Sequence, residues 1–193
     1  MILPIVVNYR ALTVCRATVL VCALMFGLWS VEGQANTQTR VDIEQVRLAA
    51  SVGAQCAGYY DGLYALVQNL LDTKSHIMLT DLKEVFPDLS AQDLFAHSTA
   101  SIMMTKGFLS LLNQTVKPVI PYSLESFRED YVGFRRQSMA WKNSEADNQY
   151  IDEMRLQCDR VLSISYQNGS LDDEKVAAAV KQRAHALGVN LEN

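Results

Sequence analysis

The chain has 193 residues, of which 49% are hydrophobic, 17 are basic and 21 are acidic, giving a formal net charge of −4 at pH 7. This acidic balance argues against a dedicated nucleic-acid-binding protein, because phosphate neutralisation requires a basic face. The sequence also contains no Gly-x-Ser-x-Gly, His-Glu-x-x-His or Cys-x-x-Cys motif, which are the spacings typical of serine hydrolases and of zinc sites.

The first 35 residues have the three-part order of a secretory signal peptide. A stretch with Arg10 and Arg16 precedes an uncharged run from residue 17 to residue 31, 15 residues long, whereas a membrane-spanning helix needs roughly 20. Gly33 and Ala35 suit cleavage after Ala35. We therefore expect a removable signal at residues 1–35, one helical domain at 36–193, and a periplasmic or secreted protein with no stable membrane span. Retention of the run as an anchor is the alternative.

Cys15 and Cys22 would leave with the signal peptide, so that Cys56 and Cys158 would remain. Two cysteines in an exported chain most simply pair with each other. We predict a disulfide between Cys56 and Cys158, with two free buried thiols as the alternative.

The first predicted helix places Cys56 on an apolar stripe with a three-to-four-residue spacing. The stripe consists of Ala49, Val52, Cys56, Tyr59, Leu63, Leu66 and Leu70. The same helix contains three glycines, Gly53, Gly58 and Gly62. Glycine lowers helix stability by roughly 1 kcal/mol relative to alanine, so these positions indicate either close packing of another backbone or a partner-facing surface. On the second interpretation, Tyr59, Tyr60 and Tyr64 are candidate partner-binding residues.

Proline and polar residues divide the middle of the chain. Residues 80–84 allow one short helix before Pro87, which cannot continue a helix. A long helix follows Ser90 and ends before Pro118. The loop at residues 117–122 holds an extended, apolar segment whose side chains Val119, Ile120 and Tyr122 are further candidate partner-binding residues; a cap over the protein's own core is the alternative.

Three more helices complete the predicted fold. One follows Ser123, with an apolar stripe of Leu124, Phe127, Tyr131, Phe134, Ser138 and Trp141. The next begins at Ser144, with Asp147 as its capping partner, and ends at Asn168-Gly169. The last is predicted to begin at Ser170 and end at Gly188. Since no segment alternates polar and apolar residues as a strand does, we predict an all-α fold: an up-and-down bundle of about five helices, stapled by Cys56 and Cys158.

The sequence offers few residues in patterns that support catalysis or metal binding. His76, His97 and His185 lie too far apart in sequence to share a helix face, so we predict no metal site, and we assign neither catalytic residues nor a cofactor. The leading hypothesis is an exported, non-enzymatic module that binds another protein, as an inhibitor, immunity-type protein, chaperone-like protein or envelope-complex subunit. The alternative is a bundle that holds a small apolar ligand between helices, with Met103, Met104, Met139 and Met154 as candidate contacts.

Overall fold

The computed structural model describes residues 43–87, 90–115 and 124–189, and throughout these ranges the regular structure is helical. The helices are α1 Ile43–Asp72, α2 His76–Val85, α3 Ala91–Thr115, α4 Leu124–Met139, α5 Glu145–Gln167 and α6 Asp173–Leu187. The predicted all-α class is confirmed. The short helix α2 is the one that the sequence allowed before Pro87, and the other five are the long helices of the predicted bundle.

Some predictions lie outside the described residues. These are the signal peptide at residues 1–35 and the loop candidates Val119, Ile120 and Tyr122. They stay predictions. Within the described residues, no helix combines the length and the apolar character that crossing a membrane requires.

Helix α1 is the centre of the fold, because it packs extensively against both α3 and α4. A Cβ atom at Gly53 would collide with the Thr105 side chain of α3, and one at Gly58 would collide with the Tyr131 carbonyl oxygen of α4. At Gly62 a Cβ atom would lie 2.5 Å from the carbonyl oxygen of Arg135. The three glycines therefore allow neighbouring helices to approach α1 closely, which confirms the packing interpretation of these positions.

Helix α5 is fastened to α1 by the predicted disulfide. Cys56 and Cys158 are bonded, with their Cα atoms 5.5 Å apart. Beside the disulfide, the Tyr59 hydroxyl donates to the Ile151 carbonyl oxygen at 3.1 Å, and the Tyr60 hydroxyl donates to the Asp159 carboxylate at 2.5 Å. Burial, and then the Asp159 charge, raise the pKa of Tyr60 well above its usual value. Tyr59 and Tyr60 are fully buried, so the structure places them between helices and not on a partner-facing surface.

Local signals set the ends of α5 and α6. Ser144 and Asp147 form the predicted capping box of α5, and Gly169 and Gly188 adopt the left-handed conformation with φ of 74° and 65°. The start of α6 differs from the prediction. Its N-cap is Asp172, whose side chain accepts from the Lys175 N–H at 3.0 Å.

Ser170 is not the cap of α6 because it belongs to the preceding turn, where its N–H donates to the Asn168 side chain at 2.9 Å.

The predicted apolar stripe of α4 included Trp141, but α4 ends at Met139. Trp141 is nevertheless buried, and its Nε1 donates to the Asn148 side chain at 2.8 Å. The chain therefore turns from α4 into α5 around a buried indole.

Removal of the disulfide tests its contribution to stability. A Cys56→Ala, Cys158→Ala double variant is expected to lose about 2 to 4 kcal/mol of unfolding free energy, because the bond closes a long loop between residues 102 positions apart. Urea denaturation of the wild type with and without reductant provides the comparison. The double variant should be insensitive to reductant, and equal midpoints for oxidised and reduced wild type would contradict the expectation.

A pair of glycine substitutions tests the packing of α1 against α4. Gly58→Ala is expected to lower the unfolding free energy by about 1 to 3 kcal/mol, because the added methyl group meets an immobile backbone carbonyl. Gly133→Ala is the matched control on α4, where a Cβ atom has nothing within 4 Å. It should raise stability by up to about 1 kcal/mol through helix propensity. Equal effects in thermal or urea melts would refute the close approach.

Candidate functional site

A groove of about 920 Å³ lies between α4 and α6 and is open to solvent on one side. Residues of α1 and α3 form its floor, and residues of α4 and α6 flank it. We call it the α4–α6 groove. Its lining includes Asp61, Tyr64, Phe95, Tyr131, Val132, Arg135, Arg136, Met139, Arg183 and Leu187.

A buried ion pair joins α1 to α6 at the floor of the groove. The Arg183 guanidinium donates to the Asp61 carboxylate, with Nη2 and Oδ2 2.6 Å apart, and the two side chains are only 20% and 8% exposed. Its other terminal nitrogen donates to the hydroxyl oxygens of Ser98 at 3.0 Å and Thr99 at 3.1 Å. Because its donors are used inside the protein, Arg183 is a structural cation that fixes α6 against α1 and α3.

Aromatic rings complete this floor. The Arg183 guanidinium carbon lies 4.6 Å from the centre of the Phe95 ring, a favourable cation–π arrangement. Phe95 in turn packs edge-on against Tyr64, with their ring centres 5.3 Å apart. The floor is therefore built from Arg183 over the Phe95 ring and from Tyr64 against the edge of that ring.

The Tyr131 hydroxyl also donates to the Asp61 carboxylate. Burial, and then the charge of Asp61, raise the pKa of Tyr131 above its usual value, against an opposing effect of Arg183 and Arg135. Burial and the Asp61 charge likewise raise the pKa of Tyr64. Both hydroxyls consequently stay protonated at neutral pH, so Tyr131 acts as a hydrogen-bond donor and not as a base.

Apolar side chains stand on the two sides of the groove. On α4, Val132 is 39% and Met139 41% exposed, and on α6, Leu187 is 60% exposed. All three side chains line the same groove, and their exposed fractions are high for large apolar residues. Clustered apolar exposure of this kind is typical of a binding surface, whereas single exposed apolar residues are common everywhere.

The rim of the groove is positively charged. Arg135 and Arg136 lie on the α4 side, and among the described residues neither forms an ion pair with a carboxylate. Three arginines and one aspartate line the groove, so its formal charge is +2, although the chain as a whole is acidic. After Arg183 neutralises Asp61, the surplus resides on Arg135 and Arg136.

The arrangement is suited to binding. Its floor is internally hydrogen-bonded, its sides are apolar and its rim is cationic. In the part of the chain that the structure describes, no group of three or more His, Cys, Asp or Glu residues could hold a metal ion.

The structure separates the tyrosines that the sequence grouped together. Tyr64 lies in the groove, half-buried, whereas Tyr59 and Tyr60 are in the core. Of the four candidate methionines, Met139 lines the groove, while Met104 and Met154 are buried among the helices. Met103 is partly buried against the core, so the four side chains do not share one site.

Sequence reasoning missed Val132 and named Met139 only as a candidate ligand contact inside the bundle. Val132 and Met139 are seven positions apart, which places them on one helix face, and neither belongs to the stripe that contains Tyr131 and Phe134. Apolar residues outside the buried stripe are the signal that could have revealed this surface. The sequence does not show that Arg135 and Arg136 border a concavity, because that depends on how α4 and α6 pack.

Comparisons with protein-family models, with curated proteins and with solved structures find no significant match to this chain.

The ion pair at the floor can be tested by removing its cation. Arg183→Met is expected to lower the unfolding free energy by roughly 2 to 3 kcal/mol, because it leaves the largely buried Asp61 carboxylate without its charged partner. Lys175→Met removes the exposed Asp172 pair, in which the charged atoms are 3.9 Å apart, and should change stability by less than about 0.5 kcal/mol.

Addition of Asp61→Asn to Arg183→Met should restore part of the lost stability, since no uncompensated charge then remains. Urea denaturation of the four proteins measures these differences. Equal losses for Arg183→Met and Lys175→Met would show that the buried pair does not fasten α6.

Proposed function

We propose that the protein is an exported, non-enzymatic protein-binding module that receives a segment of its partner in the α4–α6 groove. The groove's exposed apolar sides are the observation that carries the proposal. The broader role is that of an inhibitor, an immunity-type protein, a chaperone-like protein or an envelope-complex subunit in the periplasm or outside the cell. Export rests on the signal-like residues 1–35 and is consistent with the disulfide.

Rigidity of the site supports this function. The ion pair of Asp61 with Arg183 fixes α6, and the glycine contacts of α1 fix α4. The two helices that flank the groove are therefore both anchored to α1. A preformed site loses little conformational entropy on binding, which favours affinity.

The shape of the site favours a macromolecular partner over a small apolar ligand. Small-molecule sites typically enclose most of the ligand surface, whereas this groove is open along one side. A partner that covers the groove would bury Val132, Met139 and Leu187 while keeping its own opposite face in solvent. Removal of these side chains from water would drive association.

Affinity capture with matched variants tests the proposal. The purified protein would be used to capture proteins from its native envelope or secreted fraction, with identification by mass spectrometry. Val132→Asp with Met139→Asp places two charges in the groove at exposed positions and is expected to reduce captured partner at least about tenfold. Ile77→Asp with Leu156→Asp is the control, because these exposed apolar residues lie on α2 and α5, outside the groove.

A protein retained by the wild type and by the control, but lost with the groove variant, would support the assignment. Retention by all three would place the binding surface elsewhere. Thermal melts of the variants verify that the folded state is preserved.

A further inference from the structure

We propose that the occupant of the α4–α6 groove is an acidic amphipathic helix of another protein, with Arg135 and Arg136 determining its charge specificity. This inference rests on the proposed function, since it assumes that the groove binds protein. It adds the secondary structure and the charge of the bound segment.

The charge of the groove specifies an anionic partner. Arg183 is neutralised by Asp61 at 2.6 Å, while Arg135 and Arg136 have no carboxylate partner among the described residues. Both belong to the last turns of α4, beside the exposed apolar residue Met139. Carboxylates that flank an apolar contact would therefore meet guanidinium groups, whereas lysines there would be repelled.

The floor of the groove favours a helical bound segment rather than an extended peptide. Where an extended chain is buried, its backbone N–H and C=O groups must pair with its host, but Arg183 already uses its terminal nitrogens on Asp61, Ser98 and Thr99. The remaining surface of the groove is mainly aliphatic or aromatic. A helix satisfies its own backbone internally and needs only side-chain contacts, as in other helix-in-groove complexes.

The spacing of the groove's apolar residues fits a short helical contact. Val132 and Met139 are separated by seven residues of α4, or roughly 10 Å along the helix axis at 1.5 Å per residue. Two turns of a partner helix span the same distance. Apolar anchors at positions i, i+3 or i+4, and i+7 of the partner would therefore face Val132, Met139 and Leu187, with acidic residues directed at the α4 rim.

Selection from a displayed library of 15-residue helical peptides tests this inference without a known partner. Peptides would be selected on the wild-type protein and counter-selected on the Val132→Asp, Met139→Asp variant. We expect enriched sequences to have apolar residues with the helical spacing and an excess of Asp and Glu beside them. Their affinity should fall roughly tenfold or more on Arg135→Glu with Arg136→Glu, and should fall with added salt.

The charge-reversed variant provides its own positive control. Selection on Arg135→Glu with Arg136→Glu should enrich Lys and Arg at the positions where the wild type enriches acids. Such an exchange distinguishes direct charge recognition from a loss of folding. Leu156→Asp, outside the groove, should select the same acidic peptides as the wild type.

The outcomes separate this inference from the proposed function. Groove-dependent peptides without acidic enrichment, or with affinities indifferent to the charge reversal, would overturn the acidic helix while leaving the groove as a protein-binding site. Concentration-dependent self-association that the groove variant abolishes would assign the groove to a second copy and also overturn it. If no groove-dependent peptide is enriched, the helical occupant is refuted, and the capture experiment decides the proposed function independently.

Discussion

Close approach between α1 and its two neighbours is the constraint on which the other contacts depend. Gly58 and Gly62 are one turn apart and face the backbone of α4, while Gly53 faces Thr105 of α3. If these positions carried larger side chains, α4 would lie further from α1 and the Tyr131 hydroxyl would not reach Asp61. The distance between the α1 and α4 backbones thus determines whether Tyr131 can join the polar network at the groove floor.

Helix α1 holds a different neighbouring helix on each of two faces. Cys56, Tyr59 and Tyr60 hold α5 through a disulfide and two hydrogen bonds, whereas Asp61 holds α6 through Arg183. Adjacent residues on a helix point about 100° apart, so Tyr60 and Asp61 can serve helices on separate sides. One segment of two turns consequently organises most of the described bundle.

The parts of the fold that sequence predicted are those with local signals. Helix periodicity, the Ser144 capping box and the glycine ends each depend on residues within a few positions of one another. The predicted loss of Cys15 and Cys22 with a signal peptide left Cys56 only Cys158 as a partner. The floor of the groove has no such signal. Asp61 and Arg183 are 122 residues apart, and a pair at that distance becomes recognisable only when the packing of α6 on α3 is known. The sequence grouped Tyr59, Tyr60 and Tyr64 as candidate partner-binding residues, yet only Tyr64 lies on the side of α1 that the groove exposes.

A cationic groove in an acidic protein has a consequence for association. The chain carries a net charge of −4, so the proposed acidic partner is repelled by the molecule as a whole and attracted near Arg135 and Arg136. At physiological salt, charges are screened beyond about 8 Å, which suppresses the long-range repulsion while the short contacts at the rim persist. For the proposed acidic helix, attraction is then confined to orientations in which its carboxylates already face the rim. On the proposed binding mode, Arg135 and Arg136 therefore act on specificity more than on total affinity.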